Sequence, residues 1–317
     1  MGNKPKIDKA TGTKTVGHEW DGIEELDTPM PRWWLMSLYA CIIWALVYVV
    51  LYPAWPMLNS ATEGVLGWSS RGEYQKEVDA REAELEPIRQ ALVNIDIHKL
   101  ADNPELLNEA IQGGRSAFKV HCVQCHGAGA AGFKGYPNLN DDEWLWGGDM
   151  EAIEYTVTNG IRNPDHAETR FSQMPAFGRD GILQAKEIQD LVSHVRVMSG
   201  REKLSGSAKR GAVLFETNCA VCHGSDAKGN RTQGAPNLTD AISLYGLDRA
   251  ELTDTITNSR YGVMPRWGHR LDAATIRMLT AYVHSLGGGE AAPTMDAPAN
   301  DEAVTGVKAG SPVDEQS

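Results

Sequence analysis

The chain has 317 residues, 42% apolar and 23% charged, with a formal net charge of −12 and a pI near 5.2. That length holds one or two compact domains with appendages, and the composition excludes a polytopic membrane protein and a disordered chain alike. The acidic balance excludes nucleic acid as a partner, because such a binder carries a basic face.

Residues 1–32 are of mixed charge and precede an uncharged run, WWLMSLYACIIWALVYVVLY over 33–52, that stays uncharged to Met57. At about 1.5 Å per residue, some 20 helical residues cover roughly 30 Å, the thickness of a hydrocarbon core. Trp33 and Trp34 at one end, with Tyr52 and Trp55 at the other, suit aromatic belts at both interfaces. Pro53 and Pro56 suit the helix exit, where a missing N–H costs little. A cleaved signal peptide is the alternative, but the preceding segment is long and mixed, and the bulky Tyr-Pro-Ala-Trp-Pro offers no small-residue cleavage site. The reading is therefore a transmembrane anchor over 33–57. Lys4, Lys6, Lys9, Lys14 and Arg32 precede it, whereas only Arg71 and Lys76 follow closely. The positive-inside rule then predicts a cytoplasmic N-terminus, with the remainder on the outer side of the membrane.

Residues 58–108 read as a helical connector, rich in Glu and Arg over 69–100 and interrupted at Pro87; a further helical pattern runs from Asn103-Pro104 toward Gly113-Gly114. From there the chain repeats itself. GRSAFKVHCVQCHG (Gly114 to Gly127) is matched by GAVLFETNCAVCHG (Gly211 to Gly224), Pro137-Asn138-Leu139 by Pro236-Asn237-Leu238, and Met174-Pro175 by Met264-Pro265. Each copy closes with an amphipathic helix, over 185–198 and 273–286. Two like domains follow, 109–200 and 201–290, joined by a short polar linker. Past Gly287-Gly288-Gly289, residues 291–317 are Ala, Pro, Asp and Glu without periodicity, a composition that buries too little to offset ordering and predicts a disordered tail. The expected fold is mainly α: one transmembrane helix, then two tandem cytochrome c domains. The first domain carries −4 and the second +2, a difference in sign that would turn them toward different partners.

Four of the five cysteines fall in the two C-x-x-C-H clusters, and the fifth, Cys41, lies in the apolar run. Positions three and four apart share a helix face. Cys122 and Cys125, and Cys219 and Cys222, can then bond the two vinyl groups of one porphyrin each, while His126 and His223 meet the iron. This is the attachment signal of c-type haem, and two copies predict two haem c groups. A single zinc site would want its Cys pairs about 15–20 residues apart, and a thioredoxin motif a βαβ setting. For the sixth iron position the candidates are Met174, 48 residues after His126, and Met264, 41 after His223. A thioether is soft and neutral and raises the potential of a His-ligated iron. Met150, Met198 and Met278 are poorer candidates; the last two sit on the closing helices, where packing accounts for them. Spacing leaves open which Met serves which iron: each within its own domain is the default, and an exchange of loops would leave the same signature. The Gly-rich stretches after each cluster let backbone approach the porphyrin edge. His18, His98, His121, His166, His194, His269 and His284 form no metal-site pattern. With His and Met filling both axial positions, neither iron keeps an open site for oxygen, so no catalytic residue is expected on this chain.

The stretch GHEWDGIEELDTPMPRWW (Gly17–Trp34), with a single span ending in YPAWP, resembles the N-terminus of the dihaem subunit (subunit III, CcoP or FixP) of cbb(3)-type cytochrome c oxidases, and the resemblance extends to about residue 288. It implies a membrane-bound electron-transfer subunit of a respiratory oxidase. Electrons would come from a donor cytochrome c or a bc-type complex, and pass to a monohaem subunit. They would then reach a haem–copper subunit where oxygen becomes water and protons are pumped. It also implies covalent haem at Cys122, Cys125, Cys219 and Cys222, with His126, His223, Met174 and Met264 as axial ligands. Two other classes compete. A dihaem peroxidase would want one iron with a displaceable or histidine ligand, and a tethered carrier for a periplasmic dehydrogenase would need no elaborate segment before its anchor.

Overall fold

The computed structural model describes residues 4–291; the expected disordered tail, but for its first residue, lies outside them. The chain divides into two compact units, one ending at Glu84 and the other beginning at Leu85.

In the first unit a hairpin precedes the anchor: β1 (Thr15–Trp20) pairs antiparallel with β2 (Ile23–Leu26). Asp21 and Gly22 form its turn, both at positive φ (49° and 85°), which is what a two-residue hairpin loop demands and what Asp-Gly supplies. Helix α1 (Arg32–Leu51) follows, uncharged after its first residue and with no buried residue. Among the described residues none covers its apolar surface, and its length and composition suit a membrane span. Tyr52 leaves the helix in an extended conformation before Pro53. The chain then folds back so that the N–H groups of Val65 and Leu66 donate to the terminal carbonyls of Val50 and Leu51, at 2.9 and 3.1 Å.

Helix α2 (Ser70–Asn94) runs through Pro87 rather than stopping there. The proline removes one hydrogen bond, to the carbonyl of Ala83. Residues 81–84 are exposed, so water can take that carbonyl. The end of α2 and a 3-10 turn (Ile97–Asp102) pack Leu92, Ile97 and Leu100 against Leu106, Ala110, Met278 and Ala281. Arg277 satisfies the orphan carbonyls of the α2 terminus, donating from Nη1 to Leu92 and Ile95 at 2.5 Å each.

The second unit is built from α3 (Pro104–His121), α4 (Val123–His126), α5 (Met150–Asn159), α6 (Ala185–Met198), α7 (Gly206–Asn218), α8 (Ala220–His223), α9 (Arg249–Asn258) and α10 (Ala273–His284). The two repeats do not each close on themselves. Helix α3 packs on α10, and α7 packs on α6. One lobe therefore joins α3, α4 and α5 of the first repeat to α10 of the second; its core is Phe118, Ile153, Val157, Ile276, Leu279 and Val283. The other joins α7, α8 and α9 to α6, around Phe215, Leu252, Ile256, Leu191, Val192 and Val195.

Two glycines make these crossings close. A Cβ on Gly114 would lie 1.9 Å from the Met278 carbonyl oxygen, and one on Gly211 would lie 2.0 Å from that of Asp190. Helix α3 consequently continues through Gly113-Gly114, where the sequence pattern pointed to an end. The α6–α7 pairing also carries a polar lock: buried Asp190 accepts from Nε and Nη2 of Arg210, both at 2.7 Å, and from Ser207. Hydrogen bonds from Arg210 and Ser207 hold that carboxyl below its usual range.

Candidate functional site

The two C-x-x-C-H clusters sit alike. Helices α3 and α7 end at His121 and Asn218, one residue before the first Cys of each pair, and the next turn, α4 or α8, brings round the second Cys and the His. Gly127 and Gly224 then turn the chain away at φ 78° and 75°. Burial, with the second thiol adjacent, pushes Cys122 and Cys219 up to about 11. Thiols held that high are not redox nucleophiles of the thioredoxin kind.

The matching Pro-Asn-Leu segments acquire a role that sequence reasoning did not assign. His126 donates its Nδ1–H to the Pro137 carbonyl at 3.2 Å, and His223 donates to that of Pro236 at 3.0 Å. With Nδ1 bonded, Nε2 keeps its lone pair, the tautomer an iron ligand needs. Burial holds both imidazoles below their ordinary pKa, neutral and able to ligate.

The two methionine loops cross over. Met174, from the first repeat, packs in the core that contains Phe215, Cys219 and Ala220. Met264, from the second, packs in the core that contains Phe118, Cys122 and Val123. Their backbones are held correspondingly. The Met264 carbonyl accepts from the Ile161 N–H at 2.9 Å, and its N–H donates to Ile161 at 3.0 Å, just beyond α5. The Met174 carbonyl accepts from the Ser259 hydroxyl, just beyond α9. The structure thus departs from the default pairing and takes up the exchange that the spacing left open: the Met-Pro loop and closing helix of each repeat pass together to the other's haem motif. Sequence cannot distinguish the two arrangements, because both bury the same amphipathic faces.

Further side chains come into the site without having been singled out. Arg170 and Arg260 each lie four residues before a Met. Each donates from Nε at 2.9 Å to a helix threonine hydroxyl, Thr156 on α5 and Thr255 on α9. Their guanidinium groups lie over Trp146 and Tyr245, 5.4 and 4.7 Å from the ring centroids. The Trp146 Nε1 is buried with no acceptor among the described residues. His166 links Asn159 (2.8 Å) to Arg266 (3.0 Å), two residues past Met264. The repeat itself is the signal that would have found Arg170 and Arg260, since they align once the Met-Pro motifs are superposed.

These features fit c-type haem: paired thiols beside a neutral imidazole, a thioether in the same core, and a buried indole N–H lacking an acceptor such as a haem carboxylate.

Comparison with known proteins agrees. Residues 12–59 match the family described as the N-terminal domain of cytochrome oxidase-cbb3, FixP. Residues 109–195 and 206–283 match that described as cytochrome C oxidase, cbb3-type, subunit III. A Cbb3-type cytochrome c oxidase subunit CcoP from Cereibacter sphaeroides is 52% identical over 92% of this chain and 100% of its own length. A subunit FixP from Azorhizobium caulinodans is 49% identical over 90% and 96%. A subunit CcoP from Azospirillum brasilense is 46% identical over 92% and 100%.

Proposed function

Because this chain belongs to the cbb3-type cytochrome c oxidase subunit III family, we propose that it is the membrane-anchored electron-transfer subunit of such an oxidase, carrying two haem c groups. The observation that carries this reading is the match of residues 12–59, since the haem repeats alone would suit many cytochromes. Bound haem iron supplies a one-electron couple. The chain's own part would be to give each iron an imidazole and a thioether, leaving no ligand place for oxygen, which is reduced elsewhere in the complex.

Cys122 and Cys125 would attach one haem, and His126 and Met264 would ligate its iron. Cys219 and Cys222 would attach the other, with His223 and Met174. The exchanged assignment is supported by the core each methionine shares. Residues 1–32 lie in the cytoplasm of a bacterial cell, 33–57 span the inner membrane in contact with lipid, and 58–108 lead to the two haem repeats, 109–200 and 201–290, which share their closing helices in the periplasm. Electrons enter from a donor cytochrome c or a bc-type complex. They leave through a monohaem subunit to the haem–copper subunit, where oxygen is reduced and protons are pumped.

Purification of the intact chain from membranes in mild detergent tests the oxidase assignment: haem b and copper should copurify, and their absence would leave a free dihaem carrier. The axial pairing is tested in full-length chains with one haem. With Cys219 and Cys222 changed to Ser, Met264→Leu should remove the methionine–iron charge-transfer band of the ferric protein, and Met174→Leu should leave it. The reverse result would restore the unexchanged pairing.

A further inference from the structure

Both methionine loops meet at one side chain, Arg162. Its Nε donates to the Gly262 carbonyl at 2.6 Å, and its Nη1 donates to the Ser172 carbonyl at 2.9 Å. Gly262 lies two residues before Met264, and Ser172 lies two residues before Met174. The guanidinium lies 5.8 Å from the centroid of the Tyr261 ring, on the Met264 loop. One planar, rigid fork therefore holds equivalent carbonyls on the two chain segments that cross between the lobes.

Three features set this residue apart from ordinary loop packing. Arg162 has no counterpart in the second repeat: fifteen residues separate Asn159 from Met174, but six separate Asn258 from Met264, and Arg162 lies in the additional stretch. Its backbone sits at φ 53°, a conformation that a non-glycine residue keeps only when its surroundings impose it. Those surroundings are visible: the Arg162 N–H donates to the Arg170 carbonyl at 2.8 Å, while neighbouring Ile161 bonds Met264. Finally, Arg162 forms no ion pair with a carboxylate among the described residues. Its guanidinium, half-buried, is held by two carbonyl dipoles and the Tyr261 ring. Arg170 and Arg260 behave differently, each anchored on a single helix.

We propose that Arg162 is a positioning residue shared by the two haem sites, clamping the Met174 and Met264 loops to one another so that both thioethers are held by a single side chain. This rests on the axial roles of Met174 and Met264. A cation between the loops disfavours the more positive, oxidised iron at either site, and so acts in the same direction as firm thioether ligation.

The test is Arg162→Met and Arg162→Lys in the full-length, haem-loaded chain, with the two haems resolved in the single-haem backgrounds. Arg162→Met should weaken the methionine–iron band of both ferric haems. It should also raise the oxidised-to-reduced ratio of both at fixed ambient potential by about tenfold, about 59 mV for a one-electron couple. Arg162→Lys, which keeps the charge but not the fork, should show a smaller change of the same sign at both. Arg260→Met, whose native side chain is anchored only on α9 in the lobe that holds Met174, should move the Met174-linked haem alone. A shift confined to one haem under Arg162→Met, or none, overturns the clamp. If Arg162→Met fails to retain both haems, Arg162→Lys decides by the same criterion. Met174→Leu and Met264→Leu in the same backgrounds report separately on axial ligation, so failure of that reading is distinguishable from failure of the clamp.

Discussion

Replacing Gly114 by Ala puts the exchanged packing at risk in a way that has a definite sign. In an exposed helix, Gly→Ala stabilises by about 1 kcal/mol, because glycine loses more backbone freedom on folding. Here the new Cβ would stand 1.9 Å from the Met278 carbonyl oxygen, a backbone atom of α10 that no side-chain rotation can move. Restoring an ordinary carbon–oxygen contact of about 3.3 Å requires α3 and α10 to part by about 1.4 Å. A gap of 0.5–1 Å already forfeits roughly a quarter to a half of each dispersion well, and overpacking of this kind costs about 1–3 kcal/mol, occasionally more.

With the propensity gain of about 1 kcal/mol set against a mid-range cost of about 2 kcal/mol, the net loss is about 1 kcal/mol, a fall in Tm of roughly 2–4 °C for a unit of this size. Thermal unfolding of the full-length chain in detergent measures it, with Gly129→Ala as control, since a Cβ there meets nothing within 4 Å. The location of the damage is as informative as its size. Helix α10 follows the Met264 loop, so Gly114→Ala should weaken the Met264 site, and Gly211→Ala, against α6, the Met174 site. Stabilisation by Gly114→Ala, or damage confined to the Met174 site, would refute the α3–α10 pairing.

Glu143 offers a pH test. Burial, and then Asp240 beside it with Asp142 and Asp141 near, push its carboxyl from 4.5 up to about 7. The folded state binds this proton more tightly than the unfolded, so the contribution is complete below pH 4.5 and lost as pH rises through about 7. Tm should fall between pH 5 and 8, and Glu143→Gln should flatten that fall; parallel curves would show the group to be uncoupled from folding. The hairpin before the anchor gives a third case. Gly22 sits at φ 85° with nothing within 4 Å of a Cβ, so Gly22→Val acts through backbone strain alone, about 1–2 kcal/mol. It should reduce the haem b and copper recovered with the chain, and Gly22→Asn should largely restore them. Equal recovery from all three would separate the hairpin from assembly.

What sequence made legible was whatever depends on local spacing. The C-x-x-C-H turns, the closing helix at Ala185–Met198 and the uncharged span lie where their patterns put them. The β1–β2 hairpin was missed although its Asp-Gly turn signal was present, because the segment lacks the alternating apolar face that usually marks strands. Helix α3 was cut short at Gly113-Gly114 because glycine usually ends a helix, whereas here tertiary packing demands it. The exchange itself was beyond the reach of pattern. An amphipathic helix records that it has an apolar face, and says nothing about which of two similar grooves receives it.

That exchange constrains how far apart the haem sites can lie. The second crossover advances only six positions from Asn258, at the end of α9 in the lobe holding Cys219, to Met264, in the core holding Cys122. Six extended residues span at most about 21 Å. Two domains joined only by a linker at 199–207 could swing apart, and electron exchange between their haems would depend on encounter. Here each lobe lacks its thioether and its closing helix unless the other supplies them. Opening the pair therefore means dismantling both cores, and the distance between the lobes is bounded by the covalent path of the chain.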